Sequence, residues 1–209
     1  MKTKLIAPPG AEQPRRDQQC LYTVSVDPAG VRHDLVLPGY EWVRANFRSV
    51  TCLVGDGPLL ERTAAVTGSS LQDAADRARR LAGNFDSLCL VSDLAATADF
   101  AAAYSDVQAA RREFPALSRA VRADARAYVA RIRRRGDLAI DLPDAVATSI
   151  EYIEIELATY LCLARRGLLL DIYVGDELPV LRKFIEGRLP HILPPLERRI
   201  FLGLIPRAP

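Results

Sequence analysis

The chain has 209 residues, 49% of them hydrophobic, 26% charged and 7% aromatic. That is enough for one domain with its own core and too little for two ordinary ones, and it excludes disordered, collagen-like and disulfide-scaffold chains. A formal net charge of +2 argues against a nucleic-acid partner only where the charge is evenly spread, and here it is not.

Residues 1–19 are polar and rich in Pro, Arg and Gln, and read as a flexible tail ahead of a single domain over 20–209. The first ten residues hold only a three-residue apolar stretch before two prolines, which is not a signal peptide, and no apolar run has the length of a membrane span. A cytoplasmic protein is expected. Tyr22 to Val26 alternates polar and apolar, Asp27-Pro28-Ala29-Gly30 signals a turn, and Val31 to Leu37 resumes, which reads as a hairpin or edge strand. Val50 to Val54 is a short β-rich run ended by Gly55-Asp56-Gly57-Pro58, a buried strand entering a tight loop. Leu71 to Leu81 has helical spacing, with Ser69 or Ser70 as N-cap and Asp73 in the first turn. Ser87 to Val91 is a second buried strand, so the order strand–helix–strand predicts a βαβ unit and a parallel sheet.

Ala101 to Arg135 is helical, with a break near Pro115. Leu138 to Leu142 reads as a short strand, and Ala145 to Arg165 as a long apolar helix. Leu168 to Val174 is a third apolar strand, and Pro179 to Gly187 a helix. The Pro-rich tail from Leu189 is expected to wrap the surface, apart from a helical turn or two near Glu197 to Leu202. The fold class this predicts is α/β: one Rossmann-like domain with a mostly parallel sheet flanked by helices. Cys20, Cys52, Cys89 and Cys162 form no C-x-x-C pair and, with three of them in apolar runs, read as buried reduced thiols. His33 and His191 lack ligand spacing and no G-x-G-x-x-G or P-loop is present, so neither a metal nor a cofactor is expected.

Three constellations can carry chemistry. Residues 111–135 contain nine arginines against Glu113 and Asp124, a net +7, which leaves −5 for the rest of the chain. On one continuous helix Arg112, Arg119, Arg122, Arg126 and Arg133 share a stripe, the arrangement a polyanion's phosphates require; the alternative is a solvated Arg-rich helix. With only Tyr128 interleaved, backbone recognition of a folded nucleic acid fits better than base stacking. In the long apolar helix, Tyr152 and Glu156 lie four apart on one face. A carboxylate there requires a cation or a proton to shuttle, unless Glu151, Glu154 and Glu156 form a solvated rim. Tyr173 ends the third strand ahead of Gly175-Asp176-Glu177, and the Gly55-Asp56-Gly57 loop shares its sheet edge if the sheet is parallel; ligands of open parallel sheets bind at that edge.

Taken in order, these segments resemble the cyclodipeptide synthases, enzymes related to the catalytic domains of class I tyrosyl- and tryptophanyl-tRNA synthetases. The resemblance runs over residues 48–188: CLVGDG, a helix, SLCLVSD, the Arg-rich helix, the Y-x-x-x-E of YIEIE, then IYVGDELP. It implies use of aminoacyl-tRNA without ATP or any cofactor, with the arginine stripe on the tRNA acceptor arm. It also implies that Tyr152 and Glu156 hold the aminoacyl ammonium and assist proton transfer, with Tyr173 as the second site tyrosine, and it places Gly55, Asp56 and Gly57 at the substrate. Two departures stand out. The family's nucleophilic serine follows the first strand, where this chain has Val54 to Pro58 and no hydroxyl or thiol; Ser69 and Ser70 come later. The family also has several dozen more residues between the basic helix and the Tyr–Glu helix, which makes this chain a shortened version. The function expected is therefore an aminoacyl-tRNA-dependent acyl transferase in which an acceptor amine, of a second aminoacyl group or of a small molecule, attacks the ester directly. The alternatives are a covalent enzyme using Ser69 or Ser70, and an inactive tRNA-binding partner protein.

Overall fold

The computed structural model describes residues 2–25, 33–174 and 178–205. In chain order its elements are β1 (Lys2–Ile6), β2 (Gln19–Ser25), α1 (His33–Asn46), β3 (Ser49–Gly55), α2 (Pro58–Thr67), α3 (Leu71–Ala82), β4 (Leu88–Leu90), α4 (Val91–Ala95), α5 (Ala98–Glu113), α6 (Pro115–Arg135), α7 (Leu142–Arg165), β5 (Leu170–Tyr173), α8 (Pro179–Ile185), α9 (Pro194–Glu197) and β6 (Ile200–Ile205). The turn at Asp27 to Gly30 and the loop at Gly175 to Glu177 lie outside the described residues.

The strands form one sheet in the order β1-β6-β5-β2-β3-β4. Every pairing is parallel except β1 with β6. The expected α/β Rossmann-like class is borne out. Its topology has one decisive feature: the chain runs β2, β3, β4 toward one edge, then crosses back to lay β5 and β6 on the other side of β2. The switch point of the winding is therefore the seam between β2 and β5, and the crevice beyond the carboxyl ends of these strands is where ligands of such sheets bind.

Strand alternation sorts the side chains of this seam. Cys20, Tyr22 and Val24 of β2, Cys52 of β3, and Leu170 and Ile172 of β5 pack with Val36, Tyr40 and Val43 of α1 in one buried cluster. Leu21 and Leu53 point to the opposite face, into the larger core built around α7. Asp171 and Tyr173 of β5 alternate with Leu170 and Ile172 and so turn to this second face too. The helix α7 is its central column. Asp141 caps it by accepting the Asp144 amide at 2.9 Å, and thirteen of its residues are buried.

Four expectations are corrected. Residues 33–37 are helical because Val36, Tyr40 and Val43 recur at i, i+4 and i+7 and cover the sheet, so the alternating segment before them is a central strand and not half of a hairpin. Residues 138–142 form no strand; Leu142 opens α7 under the Asp141 cap. The segment read as a tail supplies β1, and the Pro-rich C-terminal stretch supplies β6, which lies inside the sheet between β1 and β5. The prolines at 190, 194 and 195 precede β6, so its own amides stay free to join the ladder.

The thiols behave as expected of a reduced interior. Cys20, Cys52 and Cys162 are buried and Cys89 is half-buried, all unbridged. Burial pushes both Cys20 and Cys52 up to about 12.

Candidate active site

A cavity of about 430 Å³ opens at the β2–β5 seam, between the sheet and the helices α2, α6, α7 and α8. Each element contributes one periodic set. From β2 come Thr23 and Ser25, from β5 Asp171 and Tyr173, from β3 Leu53 and Gly55. The α7 wall is a single stripe, Ser149, Tyr152, Ile153, Glu156, Thr159 and Tyr160, at i, i+3, i+4, i+7 and onward. The α6 wall is another, Asp124, Ala127, Tyr128 and Arg131. The predicted trio of Tyr152, Glu156 and Tyr173 is thus brought together in one cavity.

The acids of YIEIE separate into three environments. Glu151 is exposed and bonded to Arg62 Nε at 2.8 Å. Glu154 is buried and ion-paired with Arg111, with Gln108 Nε2 donating at 3.5 Å. Glu156 faces the cavity and has no cationic or hydrogen-bonding partner among the described residues. Loss of solvent, then the nearby Asp171 and Asp124 carboxylates, push its carboxyl from the usual 4.5 up to about 7. Asp124 is held at the rim by accepting the Val180 amide at 2.6 Å.

Tyr152 stacks on Tyr128, with ring centroids 6.3 Å apart and planes within 4°. Arg131 sits over the Tyr128 ring at 5.3 Å. Tyr128 is a site residue that the arginine count overshadowed. The spacing Asp124, Tyr128, Arg131 was the available signal.

Behind the cavity lies a buried polar group. Arg199 and Asp171 are 0% and 1% exposed, with Nη2 and Oδ2 3.7 Å apart. Arg199 also donates to the Leu168 carbonyl at 3.1 Å and lies 4.4 Å over the Tyr160 ring. Thr23 Oγ1 donates to Asp171 Oδ1 at 2.5 Å. Burial raises the Asp171 carboxyl, opposed by Arg199 and Thr23.

The other predicted residues fall as follows. Gly55 lines the cavity, but Asp56 does not: its carboxylate accepts the Ser92 amide at 2.8 Å and the Ser92 hydroxyl at 2.6 Å, tying the loop after β3 to the first turn of α4. Gly57 has φ +52, and a Cβ there would lie 2.8 Å from Ser92 Cβ, so it serves this close approach. Ser70 caps α3 by accepting the Asp73 amide, and Ser69 bonds to Thr67; neither lines the cavity. Sequence reasoning missed Ser25. It ends β2, the first of the parallel strands, directly beside Gly55 in register. Its signal was a serine closing an alternating segment ahead of Pro28 and Gly30.

The arginine stripe is not on one helix. Phe114 is extended (φ −107, ψ 102) and Pro115 starts α6, so Arg112 ends α5 while Arg119, Arg122, Arg126 and Arg133 lie on α6. All five are exposed. At about 100° per residue, the α6 stripe centres roughly 160° around the helix from the cavity-lining face. Arg126 and Arg133 instead flank a second groove with Arg134, floored by Val129 and by Leu142 and Val146 of α7. Among the described residues no His/Cys/Asp/Glu group could hold a metal, and no helix is long and apolar enough to cross a membrane.

No protein-family model matches the chain, and no curated protein does. Solved structures do. A cyclodipeptide synthase from Bacillus thermoamylovorans superposes with TM-score 0.70 at 13% identity, over 93% of this chain and 91% of that one. One from Fluoribacter dumoffii gives 0.69 at 16%, over 96% of each. AlbC, a cyclodipeptide synthase from Streptomyces noursei, gives 0.62 at 16%, over 92% and 97%. The likeness is one of fold. Because it spans these chains nearly end to end, the protein is not a shortened version of them.

Glu156 generates a test. Its folded carboxyl titrates near 7 and its unfolded one near 4.5, so between these values the native state binds the extra proton and stability falls as pH rises. Glu156→Gln is therefore expected to stabilise the fold by on the order of 2 kcal/mol at pH 8 and to be neutral at pH 4, read by urea denaturation. An equal difference at both pH values would contradict the assignment.

Proposed function

We propose that this protein is an aminoacyl-tRNA-dependent acyl transferase of the cyclodipeptide-synthase type, working through a covalent intermediate on Ser25. One observation carries the reading: Ser25, Tyr152, Glu156 and Tyr173 converge on a single cavity at the switch point of the sheet. The fold it shares with solved cyclodipeptide synthases supports it. Direct transfer was expected from the apparent absence of a serine after the first strand, and Ser25 at the end of β2 favours the covalent route over it.

Ser25, at the strand terminus, is the primary alcohol placed at the mouth. Its Oγ attacks the carbonyl carbon of the aminoacyl ester. The bond to the terminal ribose oxygen breaks, and the Ser25 proton leaves with that oxygen as free tRNA hydroxyl. One ester replaces another, so no ATP is consumed. The amine of a second aminoacyl group then attacks the Ser25 ester, forming an amide and returning the proton to Ser25. Attack of the first residue's amine on the remaining tRNA ester closes the ring and frees the second tRNA. Both aminolyses run downhill from ester to amide, and holding the reactants in place supplies much of the rate.

Glu156 is the anionic group positioned to receive the α-ammonium. A cation there offsets the desolvation that raises its carboxyl and favours the carboxylate, which can then exchange a proton with the amine it holds. Tyr152 and Tyr173 orient the ester, Tyr152 braced by its stack on Tyr128. Arg119, Arg122, Arg126 and Arg133 contact tRNA phosphates on the outer side of α6, while Arg131 stands at the cavity rim where the 3′ end enters.

Incubation with the full set of aminoacyl-tRNAs, followed by mass spectrometry of small products, tests the function. The wild-type protein is expected to release cyclic dipeptides; Ser25→Ala and Glu156→Gln lower turnover by at least about 100-fold. Binding of tRNA with no aminoacyl group consumed would overturn the proposal. The combined change Arg119→Ala, Arg122→Ala and Arg126→Ala is expected to raise KM for aminoacyl-tRNA and flatten its salt dependence by about 2 to 3 in log–log slope, with kcat nearly unchanged. A lower kcat at unaltered salt slope would contradict a phosphate-binding role.

A further inference from the structure

Three elements deliver the site residues, and one buried hydrogen-bonded node ties all three together. Thr23 Oγ1 of β2 donates to Asp171 Oδ1 of β5 at 2.5 Å. The Tyr160 phenol of α7 joins them through side-chain hydrogen bonds with Thr23 and Asp171. Arg199 closes the node from behind, with Nη2 3.7 Å from Asp171 Oδ2 and the guanidinium 4.4 Å over the Tyr160 ring. Asp171, Tyr160 and Arg199 are 1%, 5% and 0% exposed, so water does not compete for these contacts.

The placement of its members singles this node out. Ser25 is two residues beyond Thr23, Tyr173 two residues beyond Asp171, and Glu156 four residues before Tyr160. Two strand residues or one helical turn each come to about 6 to 7 Å, so every one of these site residues stands one structural repeat from the node. Both spacings also preserve side-chain direction, since i and i+2 share a strand face and i and i+4 a helix face. In register Thr23 pairs with Tyr173 and Asp171 with Leu21, so the Thr23–Asp171 bond is a diagonal across the seam. It is made only while β2 and β5 hold that register, and the Tyr160 contact sets the height of α7 along the same seam. A buried ion pair contributes little net stability, and apolar side chains would fill this volume at least as well. Directional bonds, unlike apolar contacts, fix where three elements stop relative to one another.

We infer that Thr23, Asp171, Tyr160 and Arg199 form a positioning node that sets Ser25, Tyr173 and Glu156 at reacting distance from one ester. This assignment rests on the acyl-transfer reading above and adds the residues that hold its geometry. None of the four makes or breaks a bond. Arg199 does not line the cavity and acts through Asp171.

The test is single-turnover deacylation of aminoacyl-tRNAs, supplied one at a time to an excess of the intact protein. Tyr160→Phe removes one hydroxyl of the node and keeps the ring that Arg199 covers; Thr23→Val removes the other at equal volume. Each is expected to lower the rate constant at saturating protein by about 10- to 100-fold, with the half-saturating concentration within about twofold of wild type. A purely structural role would cut the amplitude, which counts folded protein, and leave the rate constant where it was. The loss is expected to be the same for every aminoacyl group the wild type accepts, because it lies in the placement of the ester and not in side-chain recognition. Thr23→Ser returns the hydroxyl and is expected to restore the rate to within about threefold. Both hydroxyls act through one carboxylate, so the double variant is expected to be no slower than the worse single one. Arg199→Met is expected to slow the reaction too; should it fail to fold, the hydroxyl variants decide. Unchanged rate constants in both single variants, losses that multiply in the double one, or a loss confined to some aminoacyl groups overturns the inference and leaves the acyl-transfer reading standing. Deacylation of no aminoacyl-tRNA by the wild type overturns both.

Discussion

A partly buried carboxylate with no cation beside it among the described residues is the constraint around which this site is organised. Glu156 sits on a largely buried helix, in a cavity-facing stripe with Ser149, Tyr152, Ile153, Thr159 and Tyr160. Nothing among the described residues neutralises it, and two further acids raise its proton affinity. Such a group is costly to the fold and is compensated only when something positive enters. An α-ammonium does that, and an amine that must lose a proton to become a nucleophile is matched to a base titrating near neutrality.

The sheet makes this arrangement possible. Because the winding reverses between β2 and β5, these two strand ends deliver Tyr173 and, two residues beyond its register partner Thr23, Ser25 to one cavity. Alternation sends every second side chain of these strands to the α1 core, which holds them rigid, and the rest into the cavity. Asp171 is tolerated in the middle of an apolar strand because Arg199, just before β6, reaches behind it. A buried pair of this kind contributes little net stability, but removing one partner strands the other, so β5, β6 and the cavity wall are tied to a single register.

The parts of this site readable from the sequence are those with local periodicity. Tyr152 and Glu156 are four apart on a long helix, the break at Pro115 follows from its missing amide, and Ser70 caps α3 as its position before Leu71 implies. What escaped depends on non-local pairing. The β2 segment alternates like an edge strand, yet β3 and β5 flank it, and only that placement makes Ser25 a residue of the switch point. The β6 strand is bracketed by prolines that read as surface loop, and Asp171 hides in LLLDIYV because its counter-ion is distant in sequence. The arginines gave a correct charge segregation, but the helix break splits their stripe and its angular offset turns it away from the cavity. Arg111, counted among them, belongs to Glu154.

The central claim is that Ser25 carries the aminoacyl group. Intact-mass measurement of the protein, acid-quenched within its first turnovers on a single accepted aminoacyl-tRNA, tests it most directly. An adduct equal to one aminoacyl residue is expected, mapped to the peptide containing Ser25, alkali-labile as an ester and absent from Ser25→Ala. Product formation with no adduct, or an adduct that persists in Ser25→Ala, would contradict it.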